Sequence, residues 1–179
     1  SSNGFDGIVH YDRSEENTQL IDEKTDLIIQ IMLSNDKNRG VIYRNKGSYD
    51  TAFFYINRSL QLAKETGDSL WMARNYNSLA ILYQYKGEAD KAIETFEKSL
   101  EIKRRLNHTD GVITTLTNIG ILFTNDKRAS KAKPYLLEAE ALSELTKSLV
   151  RQIEIKKALS LYYYETGSYK LAYEYHRDF

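Results

Sequence analysis

The side chains that could do chemistry are few and scattered. The chain has 179 residues, 3 His and no Cys. His10, His108 and His176 lie far apart and lack the His-Glu-x-x-His spacing that sets two imidazoles on one helix face around a metal. No Gly-rich phosphate loop and no Gly-x-Ser-x-Gly elbow occurs. The absence of Cys excludes a thiol nucleophile, a Cys-ligated zinc and a disulfide framework. Glu138, Glu140 and Glu144 gather near Lys127, Arg128, Lys131 and Lys133. Such mixed charge reads as a solvated helix face with i,i+4 pairs, each worth a few tenths of a kcal/mol; a basic patch for a partner is the alternative. The expectation is a protein without catalysis, cofactor or metal.

Charge narrows the partners. Lys+Arg number 25 and Asp+Glu 25, with a pI of about 6.8. A nucleic-acid or anionic-membrane binder usually carries a basic footprint, so neither partner is expected. No run reaches the ~18 apolar residues that cross a bilayer. Composition leaves the compartment open, cytoplasm or periplasm if the protein is bacterial.

The elements that must position any binding residues come from a repeat. Tyr43, Tyr83, Phe123 and Tyr163 differ by 40 residues each, as do Ala52, Ala92, Ala132 and Ala172. Gly40, Ala80, Gly120 and Ser160 form a column of small residues at the same step. Gly47, Gly87 and Gly167 form another, interrupted by Lys127. Within a unit the period is helical: Tyr76, Leu79, Ala80 and Tyr83 stand at i, i+3, i+4 and i+7. Gly87 supplies a turn, and Ala89, Ala92, Ile93, Phe96 and Leu100 make a second apolar stripe. Lys103, Arg104 and Arg105 close that helix with cations at its negative dipole end. Asn107 to Gly111 reads as a polar connector, with His108 facing water. Each unit is therefore a helix hairpin, and the small column lets its two helices approach. Pro134 is expected in the first turns of its helix, where few amide donors are used.

The run Tyr76-x-x-Leu79-Ala80-x-x-Tyr83-x-x-x-Gly87-x-x-x-x-Ala92-x-x-x-Phe96 resembles the tetratricopeptide repeat (TPR), in the 40-residue form of kinesin light chain and of bacterial peptide-responsive regulators. The resemblance implies an all-α fold, a right-handed α-α superhelical solenoid. It departs at the ends: Asp36 and Arg39 stand where Tyr76 and Leu79 stood, and His176 where Phe96 stood. The expected units are about 34–72, 73–112, 113–152 and an incomplete 153–179. Residues 1–33 lie outside the repeat. Leu20, Ile21, Leu27, Ile28, Ile31 and Met32 recur at helical spacing there, so 14–33 is read as a helix covering the N-terminal end, after an irregular 1–13.

Residues two places from the core stripe lie about 200° away around a helix. In the second unit they are Arg74, Asn77, Ser78, Ile81, Gln84 and Tyr85. By resemblance, this stripe of each first helix lines the concave groove and holds a protein or peptide segment. Its columns run Val41, Ile81, Ile121, Leu161; Lys37, Asn77, Thr117, Lys157; and Asn38, Ser78, Asn118, Ala158. Tyr85 and Asn125 continue it. An aliphatic strip edged by amides and hydroxyls suits a peptide: Asn both donates and accepts, and apolar burial contributes roughly 25 cal/mol per Å². The aliphatic column could instead pack against neighbouring repeats. Val41 and Ile81 stand where a chaperone-tail carboxylate clamp would want Asn, which disfavours that sub-family.

The last unit is rich in Tyr: Tyr162, Tyr163, Tyr164, Tyr169, Tyr173 and Tyr175. That suits packing against a further repeat, or an exposed end that associates. The chain opens without Met, and Phe179 falls inside an unfinished helical pattern, so it reads as a piece of a longer protein. The expected function is a binding scaffold, the sensing domain of a bacterial signalling or transcription-regulatory protein. The alternative is a structural module that self-associates through its ends.

Overall fold

The fold is set by how the chain turns. The structure, a computed structural model, describes residues 5–177, with side chains from residue 18 onward. It is all-α: α1 Phe5–Asn45, α2 Tyr49–Glu65, α3 Ser69–Tyr85, α4 Ala89–Arg105, α5 Thr109–Asn125, α6 Ala129–Thr146, α7 Leu149–Glu165 and α8 Tyr169–Arg177. Between helices the chain takes a left-handed backbone at Gly47, Gly67, Gly87, Asn107, Lys127, Lys147 and Gly167, each 20 residues after the last. At six of the seven turns the next amide reaches back over the turn; after Lys147 the Ser143 carbonyl accepts instead from the Gln152 side-chain amide at 3.2 Å. Asp68 N–H donates to the Ala63 carbonyl, Glu88 to Tyr83 and His108 to Lys103, all at 2.9 Å. This is the Schellman closure, in which one left-handed residue lets two orphan carbonyls be satisfied.

The residue closing one helix opens the next. The Asp68 carboxylate accepts from Trp71 N–H at 3.0 Å, and His108 Nδ1 accepts from Gly111 N–H at 2.9 Å. The expected polar connector at 107–111 is thus only three residues long, and Thr109 to Gly111 are already helix. His108 is a half-buried cap rather than a side chain in water. With each turn this short, successive helices are antiparallel and pack as hairpins.

The small columns sit where hairpin helices touch. A Cβ added at Gly40 would collide with Ile56, and one at Gly120 with Leu136. Ala52, Ala92, Ala132 and Leu136 are fully buried opposite them. At the last unit Ser160 Oγ donates to the Ala172 carbonyl at 2.9 Å. Aromatic pairs bind the hairpins further along. Tyr43 stacks on Tyr55 and Tyr163 on Tyr175, with centroids 5.5 and 5.4 Å apart, and Phe123 meets Tyr135 at a tilt, 5.7 Å away. In the second unit that partner is Thr95, and Tyr83 turns instead to Phe53 of the preceding hairpin, 5.0 Å away.

Odd-numbered helices form an inner layer and even-numbered ones an outer layer. Outer helices reach one another through long side chains: Arg104 to Glu138 at 2.7 Å and Arg128 to Asp90 at 2.7 Å. Of the α6 charge cluster, Arg128 and Glu138 are thus paired across repeats rather than along the helix. Pro134 is the sixth residue of α6, deeper than the expected first turns. It has no amide to offer the Ser130 carbonyl.

The N-terminal reading needs correction. Residues 14–33 are no separate covering helix. They run straight into the first repeat as one 41-residue helix, because nothing between 26 and 39 breaks it. Residues 5–13 are helical, and 1–4 lie outside the described residues. The stripe from Leu20 to Met32 covers nothing: Ile21, Leu27 and Ile28 are 63, 61 and 57 % exposed. Leu33, fully buried against Ala63 and Trp71, and half-buried Ile29 pack inward, while the Gln30 amide accepts from Trp71 Nε1 and donates to Asp68 Oδ2 at 3.0 Å. Asp36, which replaces an apolar residue of the pattern, is buried by a bidentate pair with Arg58.

Two substitutions separate turn from core. No atom lies within 4 Å of a Cβ added at Gly87, where φ is +76°. Gly87→Ala should therefore cost about 1 kcal/mol from backbone conformation alone. Phe96→Ala, in a fully buried site, should cost about 3–5 kcal/mol. Urea unfolding of the two variants measures both; equal losses would contradict the assignment.

Candidate functional site

The inner faces of α3, α5 and α7 enclose two adjoining hollows. One, of about 500 Å³, lies among Ile81, Gln84, Tyr85, Asn118 and Ile121. The other, of about 350 Å³, lies among Thr114, Thr117, Asn118, Ile121, Glu154, Lys157, Ala158 and Leu161. Asn118 and Ile121 line both, so the two make one trough across three repeats. Its floor is aliphatic, from Ile81, Ile121 and Leu161, all half-buried. Its edges carry an amide at Asn118, a carboxylate at Glu154 and an ammonium at Lys157. Tyr85 stands 58 % exposed at one wall, held by a stack on Tyr49 at 5.9 Å and by the Arg44 guanidinium 5.7 Å from its ring.

Seven of the fourteen residues named from sequence line this trough: Ile81, Tyr85, Thr117, Asn118, Ile121, Lys157 and Leu161. The other seven do not. Lys37, Asn38 and Val41 belong to the first repeat, beyond the trough. Arg74 lies over the Trp71 ring, 5.1 Å from its centroid. Asn77 is half-buried, and its Oδ1 accepts from Thr115 Oγ1 at 3.4 Å. Ser78 is buried, with its hydroxyl donating to the Arg74 carbonyl. Thr117 faces the trough, but its hydroxyl donates to the Ile113 carbonyl at 2.8 Å. Asn125 is exposed at the far end of α5. Thr114 and Glu154 were missed, although stepping 40 and 80 residues on from Arg74 reaches them.

Sequence reasoning also missed Lys103. Its amine is buried behind α5 and donates to Thr115 Oγ1 at 2.7 Å. Gly111 leaves it the room, since a Cβ there would sit 3.0 Å from the Lys103 stem. Burial pushes the Lys103 ammonium down to about 8, and repulsion from Arg74 and Arg151 adds to the effect. Of the three His, His176 is exposed on α8, although it stands in the column of buried Phe96. Among the described residues no group of three or more His, Asp or Glu could hold a metal ion. No described helix is long and apolar enough to cross a membrane.

The family model for the tetratricopeptide repeat matches residues 29–105 and 79–145. The chain belongs to the tetratricopeptide repeat family. TPR domains are generally non-enzymatic scaffolds that bind proteins or peptides. The match begins at residue 29, where the 20-residue beat places the start of the first inner helix. No curated protein matches the chain. Solved structures share its fold. BtubC (BKLC) from P. vanneervenii is 22% identical at a TM-score of 0.76, over 95% of this chain and 69% of that one. The putative kinesin light chain TPR-like repeats of Podosopora anserina are 16% identical at 0.64, over 92% and 87%. The Rap conjugation gene regulator of plasmid pLS20, solved in complex with the Phr* peptide, is 17% identical at 0.72, over 87% and 44%. The chain thus spans less than half of that regulator.

Lys103 gives this TPR array a pH signature. Its amine titrates lower when folded than the ordinary 10.5 of the unfolded chain. Between pH 8 and 10.5 the unfolded state therefore binds more protons, and stability rises with pH through that window. Below it the buried charge costs roughly 3 kcal/mol. Lys103→Met should be more stable than the parent at pH 7, with the gain shrinking as pH passes 8. Urea titrations of both proteins across this range check it.

Proposed function

We propose that this TPR array is a non-catalytic scaffold that holds an extended peptide or protein segment along the inner faces of α3, α5 and α7. We further propose that it is the ligand-sensing part of a longer bacterial signalling or transcription-regulatory protein. The observation that carries the reading is the trough shared through Asn118 and Ile121. An extended chain laid in it would bury aliphatic side chains on Ile81, Ile121 and Leu161. The Asn118 amide can donate to one backbone carbonyl and accept from one amide, each bond worth about 1 kcal/mol net. The likeness to a regulator solved with a peptide supports the regulatory half.

The self-association alternative does not account for a trough that runs along the array rather than at its ends. Peptides selected from a random dodecapeptide phage library on the wild-type chain provide the test. Asn118→Ala should weaken their binding by roughly ten-fold, about 1.4 kcal/mol, in isothermal titration. Its melting temperature should move little, because Asn118 is half-buried on a helix surface. Selected peptides that bind Asn118→Ala and Ile121→Ser as tightly as the parent would refute the trough assignment.

A further inference from the structure

Lys103 carries a charge where an uncharged side chain would fill the same space. It is 5 % exposed, and its stem crosses the gap left by Gly111. Ala63 and Ser143, in the same column, are small and neutral. The charges that act on its ammonium are those of Arg74 and Arg151, both repulsive, and no carboxylate is among them. Arg151 is held by Glu154 at 2.6 Å. Arg74 is exposed and rests on the Trp71 ring, with no carboxylate partner among the described residues. Three cations therefore stand together with one carboxylate. A buried charge without a counter-ion is costly, and an anion arriving beside it offsets part of that cost.

The ammonium also fixes the polarity of a hydrogen-bond chain that ends at the inner face. An ammonium only donates, so Thr115 Oγ1 accepts from Lys103 at 2.7 Å and turns its own proton away. That hydroxyl reaches the Gly111 carbonyl at 2.9 Å and, on α3, Asn77 Oδ1 at 3.4 Å. The Asn77 atom facing Thr115 is therefore its oxygen. The N–H donors of this amide are left without an acceptor among the described residues. With no donor at position 103, Thr115 can accept as well as donate, and the amide is free to turn either way.

These groups continue the rim of the trough. Arg74 shares a column with Thr114 and Glu154, which line it, and Asn77 shares one with Thr117 and Lys157, which line it too. Arg74 and Asn77 are three residues apart and so lie on one face of α3. They carry the polar edge onto α3, ahead of Ile81 and the aliphatic floor. A planar guanidinium beside an amide N–H₂ group suits a carboxylate, which accepts at both oxygens.

We propose, building on the trough as a groove for a protein segment, that Lys103 is a positioning residue for a carboxylate subsite formed by Arg74 and Asn77. The carboxylate of the bound segment accepts from the Arg74 guanidinium and from the Asn77 N–H₂ group. Lys103 does not touch it. The ammonium lies beneath, aims the amide through Thr115 and adds its positive field. The carboxylate comes from an Asp or Glu side chain of the segment or from its C-terminus, and the aliphatic floor takes the neighbouring residues.

The probes are dodecapeptides selected on the wild-type chain. Each is synthesised with its acidic residues kept or changed to Asn and Gln, and with a free or an amidated C-terminus. In isothermal titration on the wild-type chain, removing the carboxylate should weaken binding about ten-fold. On Lys103→Met and on Arg74→Gln the same exchange should change affinity less than about three-fold. Met suits the buried site and Arg74 is exposed, so circular dichroism should match the parent for both variants. Sensitivity to the Asn and Gln exchange places the carboxylate on a side chain, and sensitivity to amidation places it at the C-terminus. Peptides weakened by Ile121→Ser yet indifferent to both exchanges would overturn the subsite and leave the trough standing. Lys103→Met weakening acidic and neutral peptides alike, with the discrimination intact, would mean a merely structural lysine and would overturn it too. Peptides indifferent to Ile121→Ser would instead remove the trough reading, and the subsite with it.

Discussion

The structure depends on a left-handed residue every 20 positions. At all of them but Lys147 the following amide folds back onto the helix just ended, which leaves no slack between helices. With no slack, the buried face of one helix fixes the buried face of the next. The 40-residue columns are the consequence, since two turns return the chain to an equivalent helix. Asn107, Lys127 and Lys147 take the left-handed conformation where other turns use Gly. A non-glycine residue there costs about 1–2 kcal/mol. The packing of the hairpins outweighs that cost, so the beat belongs to the architecture and not to any single turn.

Within this frame, large and small residues trade places between layers. Where α2 meets α3, Ala63 is small and Trp71 large. Where α4 meets α5, Lys103 is large and Gly111 small. Where α6 meets α7, Ser143 is small and Arg151 large. Ala63, Lys103 and Ser143 occupy one column, and Trp71, Gly111 and Arg151 another. The middle pair is the costly one, because it buries an ammonium rather than an aromatic ring. The aromatic pairs show the same adaptability: losing one Tyr to Thr95 redirects Tyr83 to a different hairpin without disturbing the helices. Polar bonds also recur with the period. Ser59 donates to the Leu33 carbonyl and Ser99 to the Ala73 carbonyl, each 26 residues back.

Most of the fold was legible from sequence because a gapless period is a physical signal. Repeated small residues mark close helix contacts whatever surrounds them. What was not legible depends on contacts between repeats. The half-period at Gly67, Asn107 and Lys147 was overlooked because two of the three are not Gly. The N-terminal stripe was read as a covering helix because apolar spacing alone cannot say whether a helix turns back; none of residues 26–39 forces a turn, and α1 runs on. The trough was half legible. The aliphatic column survived because its members repeat in kind. Ser78 and Thr117 did not, because a hydroxyl on a helix can bond its own preceding turn and leave nothing for a ligand. Asn77 was lost to Thr115 of the neighbouring repeat, a pairing that only the superposition of repeats creates.

The functional account therefore rests on the inner layer. Three helices offer an aliphatic floor in register, and the outer layer and the turns hold that register. A direct measurement is the amide chemical-shift map of the ¹⁵N-labelled chain titrated with a library-selected peptide. The account predicts perturbations concentrated at Ile81, Asn118, Ile121 and Leu161 on α3, α5 and α7. Perturbations centred on the outer helices α2, α4 and α6, with the inner faces silent, would contradict it.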